Sequence, residues 1–205
     1  MDVSSALKSA LIDFVSLKMK SVPLWIAMIF GFAVINMKVV SYLFLITIVS
    51  LVFMNEEKGV HAIYFIPTNK SSCVLGRYIF SLMLFLICSC VNILVDFTVP
   101  FLYDSYISSG FIFYILMLSV FIVLIAFEFP LLYWMGYAKV RLVQYVLLML
   151  FLLLFLKRID ETALYRMSTE LVLSGSLIAG AMLGSAVLLV LSIFLSCKLY
   201  STREI

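Results

Sequence analysis

The run LVQYVLLMLFLLLFL, from Leu142 to Leu156, is apolar at nearly every position, and comparable runs recur along the whole chain. A soluble domain needs charged and turn residues every ten or so positions, so runs of this length point to a bilayer as the solvent. A transmembrane barrel would alternate apolar and polar residues with a period of two. No such alternation is present, and helices, which satisfy their own backbone polar groups, are the expected spanning elements. With 65% hydrophobic and only 12% charged residues, the chain has too little polar surface to cover a water-soluble fold.

A wide hydropathy window predicts one all-α transmembrane domain over residues 1–205. It contains six spans, at about Val22–Ile35, Val39–Met54, Tyr78–Val99, Phe111–Phe129, Leu142–Leu156 and Leu171–Cys197. The first two are short, so the flanking Lys20 and Lys38 are expected to snorkel towards water. Residues 1–20 form a leader in which Val3, Leu7, Ala10, Leu11 and Phe14 recur at helical spacing, with Ser4, Lys8, Ser9 and Asp13 on the other side. That pattern predicts an amphipathic helix lying in the membrane interface. A cleavable signal before the first span is not expected. Ten of the fourteen Lys and Arg residues fall on the side that holds the N-terminus, so both termini and the connection between spans two and three are expected in the cytoplasm.

Catalytic chemistry finds no footing. His61 is the single histidine and has no nucleophile or carboxylate partner at a recognisable spacing. Cys73, Cys88, Cys90 and Cys197 lack metal-ligand spacing, so free thiols and no metal site are expected. Gly175–Met182 (GSLIAGAM) has the glycine spacing of a phosphate loop without its Lys or hydroxyl, so ATP binding is not expected in this chain. A net charge of +3, spread along the sequence, does not suggest a nucleic-acid partner.

Polar residues inside spans are costly and therefore informative. Ser89, Asn92 and Asp96 share one face of the third span, which is expected to point inward, either lining a pathway or cross-linking helices. Glu128 precedes Pro130, which is expected to end or kink the fourth span; the acid is then either a hydrated end cap or a pathway residue. Ser176, Gly180 and Gly184 have the small-xxx-small spacing of close helix packing, with a partner from this chain or another copy.

Between spans two and three lie Glu56, Glu57, Lys58, Gly59, Tyr64, Pro67, Lys70, Leu75, Gly76, Arg77 and Tyr78. In order and spacing these residues resemble the permease subunits of bacterial type-2 ATP-binding-cassette (ABC) exporters, as does the short basic tail Ser196–Ile205. The resemblance implies that Glu56–Ser72 is a cytoplasmic coupling helix seated in a groove of a separate ABC ATPase. Val60, Ile63, Tyr64 and Pro67 would plug the groove, while Glu56, Glu57, Lys58 and Lys70 form a charged rim. It also implies a non-catalytic subunit of the bacterial plasma membrane, with ATP and Mg held by the partner ATPase, and a second permease copy or paralogue as neighbour in the lipid. The apolar spans suit export of a hydrophobic or amphipathic substrate, best a peptide, by alternating access. Two other readings stay open: a membrane scaffold or immunity protein without transport, and a proton-coupled carrier using Asp96 and Glu128.

Overall fold

The structure, a computed structural model, describes residues 3–16, 22–35, 38–57, 70–101, 110–142 and 175–202. Among them every regular element is helical: α1 (Val3–Ser16), α2 (Val22–Val34), α3 (Lys38–Glu57), α4 (Lys70–Thr98), α5 (Phe111–Met135) and α6 (Gly175–Thr202). A 3-10 turn at Val99–Phe101 follows α4, and a short helix at 137–142 follows α5. Three helical segments, Lys70–Thr98, Phe111–Met135 and Ile178–Thr202, are long and apolar enough to cross a membrane; Trp25–Val34 and Lys38–Phe53 are shorter apolar helices. The expected fifth span, Leu142–Leu156, lies outside the described residues apart from its first.

Side-chain pairs set the direction of each helix. Lys38 meets Asp96 and Tyr42 meets Ser89, so α3 and α4 are antiparallel. Tyr78 packs on Phe129 and Phe85 on Phe121, so α4 and α5 are antiparallel as well. By contrast Ser119 meets Met182, Ser192 meets the Ala126 carbonyl and Tyr133 packs on Tyr200, which makes α5 and α6 parallel. Consequently α3, α5 and α6 finish, and α4 starts, at one end of the bundle, its lower end. The core between them is aromatic and aliphatic, with Tyr42, Phe53, Tyr78, Phe85, Phe121 and Phe129 buried together. Rings in tilted and edge-on contact at 4.5–5.4 Å fill this space with favourable quadrupole geometry.

Pro130 does not end its helix: α5 runs on to Met135. Proline has no N–H to give the carbonyl four residues back, which here is that of Ala126. Ser192 of α6 donates to that carbonyl at 2.6 Å, so the freed acceptor is satisfied from a neighbouring helix and α5 continues. Ser192→Ala should therefore cost about 1–2 kcal/mol in thermal or chemical unfolding, and that cost should largely vanish in a Pro130→Ala background, where the missing backbone donor is restored. The helix stops at Gly136, whose φ of 79° favours a residue without a side chain and whose N–H closes the last turn on the Leu132 carbonyl at 3.0 Å.

The leader folds as a helix, but the face that packs carries small residues and Asp13 and not the larger apolar side chains. Ala6, Ser9, Ala10 and Asp13 are buried against α4, whereas Val3, Leu7 and Leu11 are 46–61% exposed. The crossing point is Gly76, where an added Cβ would lie 2.7 Å from Ser9 Cβ and 2.8 Å from the Ala6 carbonyl oxygen. α4 accordingly begins at Lys70, about two turns before the expected Tyr78. The added turns carry the buried Ser72, Cys73 and Gly76, and α1 crosses α4 at Gly76.

Candidate functional site

Two polar clusters are built into the bundle, one towards each end. In the upper cluster the Lys38 ammonium pairs with the Asp96 carboxylate, and the Tyr114 phenol donates to the second carboxylate oxygen at 2.6 Å. Ser41 donates to the Lys38 carbonyl at 2.6 Å and accepts from the Asn92 amide at 3.2 Å. One turn further, Tyr42 and Ser89 hydroxyls share a hydrogen bond of 3.1 Å. α3, α4 and α5 are thus joined by a chain of hydrogen bonds whose two opposite charges cancel. Burying either charge alone would be expensive; paired and hydrogen-bonded, the cost is largely offset. The expected snorkelling of Lys38 is corrected here: it is 1% exposed because Asp96, not water, receives its charge.

The lower cluster centres on Arg77, which is 2% exposed. Its Nε lies 3.9 Å from a carboxylate oxygen of Asp13, itself fully buried on α1. Its Nη1 donates to the Tyr133 hydroxyl of α5 at 3.1 Å, and its guanidinium carbon sits 4.3 Å from the centroid of the Phe53 ring of α3. A planar cation can meet a carboxylate at its edge and an aromatic ring on its face at once, which an ammonium cannot. Next to it, the Tyr78 hydroxyl reaches Ser192 and Ser196 of α6 at 2.6 and 3.0 Å. In the sequence Arg77 counts as a base on the cytoplasmic side and as one residue of the stretch that resembles type-2 ABC permeases; its pairing with Asp13, far away in the chain, has no local signal.

The model of the ABC-2 family transporter proteins matches residues 11–201, a region that takes in both clusters. The chain belongs to the ABC-2 transporter family. No curated protein and no solved structure matches it.

In this ABC-2 protein the residues singled out in the sequence fall in three places. Ser89, Asn92 and Asp96 do share the inward face of α4, and the structure brings them onto Tyr42, Ser41, Lys38 and Tyr114. Glu128 is 7% exposed and lies within α5, about two turns before its end. It stands fourteen positions after Tyr114 on α5, about 21 Å along the helix, so the structure does not bring it to Asp96. Gly180 and Gly184 are exposed on α6, and no described residue lies within 4 Å of where either Cβ would be. Ser176 belongs to the first turn of the same helix. Of the coupling residues, Glu56 and Glu57 end α3, while Lys58, Gly59, Val60, Ile63, Tyr64 and Pro67 lie outside the described residues. The four cysteines are free, and the described residues hold no group of three His, Cys, Asp or Glu that could bind a metal.

Proposed function

We propose that this ABC-2 protein is the permease subunit of an ATP-driven exporter, with ATP and Mg bound by separate ABC ATPase subunits and a second permease copy or paralogue completing the pathway. The observation that carries this reading is the family match over residues 11–201, which covers all but the start of the leader and the last residues of the tail. The coupling element is the α3–α4 connection with Glu56, Glu57, Lys58, Gly59, Val60, Ile63, Tyr64 and Pro67. It joins the end of α3 to the start of α4 at the lower end, where α5 and α6 also finish, so force applied there acts on several helices at once.

The excess of Lys and Arg on that side supports a cytoplasmic lower end in a bacterial plasma membrane, with both termini inside. Parallel packing of α5 and α6 supports a further crossing between them, and hence six spans. Exposed Val3, Leu7 and Leu11 on α1 support contact with interfacial lipid. The substrate is a hydrophobic or amphipathic molecule, best a peptide, because the charges of the upper cluster are already paired and little else along the apolar helices would hold an ion or a sugar. The distance between Asp96 and Glu128 does not favour a proton relay.

Co-purification with the ATPase encoded beside this chain tests the reading. Tyr64→Asp combined with Glu57→Lys should weaken that complex about tenfold or more, since an apolar plug becomes charged and a rim charge reverses. A wild-type chain that binds no such ATPase, or a double variant that binds it equally well, would overturn the coupling role.

A further inference from the structure

We infer that Arg77 is a positioning residue of the transport cycle: its guanidinium clamps α1, α3 and α5 to α4, so that motion entering at the α3–α4 connection moves these four helices as one body. The inference rests on the coupling role proposed above. Arg77 lies seven residues after the start of α4 and Phe53 four residues before the end of α3, so both flank the connection within about two turns. The clamp reaches each helix by a different contact: an ion pair to Asp13, stacking on Phe53, and a hydrogen bond to Tyr133. Tyr133 in turn packs on Tyr200, which extends the node to the last turn of α6.

α1 depends on this contact most. It joins the bundle through small residues around Gly76 and through Asp13, while its larger apolar side chains point away. Without Arg77, α1 rests on the packing of its small residues, Ala6 and Ser9 at Gly76 and Ala10 against Ile48, Val52 and Phe80.

A merely structural role and a positioning role differ in what replaces them. A buried ion pair can often be exchanged for uncharged groups of similar volume with little loss of stability. Arg77→Met with Asp13→Asn removes the clamp without leaving either charge alone. Spin labels at Lys8→Cys on α1 and Lys139→Cys after α5, both exposed positions, would report the distance between the two helices, with Cys90 and Cys197 replaced by Ser. The measurement is made on the full chain in lipid nanodiscs, alone and in complex with its ATPase, nucleotide-free and vanadate-trapped.

The wild-type distance should be narrow and keep its width on trapping. The double variant should remain folded and bind ATPase normally. Its distance distribution should broaden, however, and the stimulation of ATP hydrolysis by the permease should fall about tenfold. Arg77→Lys, which keeps the charge but loses the planar stack, should fall between the two. Wild-type widths and stimulation in the double variant would overturn the inference while leaving the coupling role intact. Failure of the wild-type chain to bind the ATPase would overturn the coupling role and, with it, any part for Arg77 in transport.

Discussion

Lys38→Met should destabilise the protein by about 3–5 kcal/mol in chemical unfolding of the detergent-solubilised chain, far more than the loss of one surface charge. Methionine keeps the length and apolar stem of lysine, so packing between α3 and α4 changes little. What changes is Asp96, which keeps its hydrogen bond from Tyr114 but loses the cation that neutralises it. A carboxylate held among apolar helices without a counter-charge is among the most costly single defects a membrane protein can carry. Adding Asp96→Asn should recover the stability to within about 1 kcal/mol of wild type, because the amide still accepts from Tyr114 and no charge is left. If the double variant were as unstable as the single one, the upper cluster would owe its stability to packing and not to charge pairing.

Gly76→Val should cost about 2–3 kcal/mol and loosen α1, seen as faster proteolysis within residues 3–16. Two effects oppose each other at this position. Removing glycine from a helix interior gains up to about 1 kcal/mol in propensity, less for a β-branched residue. Against it, the first added carbon would lie 2.7 and 2.8 Å from a Cβ and a backbone carbonyl of α1, neither of which can swing aside as a long side chain would. Overpacking of that kind costs about 1–3 kcal/mol, and the extra methyls of valine bring it to the upper part of the range. Gly180→Ala supplies the control: on the isolated chain its Cβ meets open space, so only the propensity gain remains and the variant should be neutral or slightly more stable.

Much of the helical architecture was legible because length and hydropathy are local properties. The segments expected as third, fourth and sixth spans overlap the three long apolar helices among the described residues, whose ends differ by up to about two turns. Even the shared face of Ser89, Asn92 and Asp96 follows from helical spacing alone. The errors arise where a residue's cost depends on a neighbour far away in sequence. Pro130 is expected to end or kink its helix, and nothing local reveals that Ser192 satisfies the freed carbonyl so that α5 runs on to Met135. Asp13 is expected towards water because a lone acid on a helix belongs there, unless an arginine waits at the docking surface, as Arg77 does.

Membrane insertion and helical class were determined by the sequence itself, since each is a sum over composition and period that no particular contact can reverse. Which charges pair was decided only by the tertiary structure. Lys38 with Asp96, and Asp13 with Arg77, are separated by dozens of residues, and the interaction of two charges depends on their distance in space and on the water excluded between them. Those quantities exist only once α1, α3, α4 and α5 have packed.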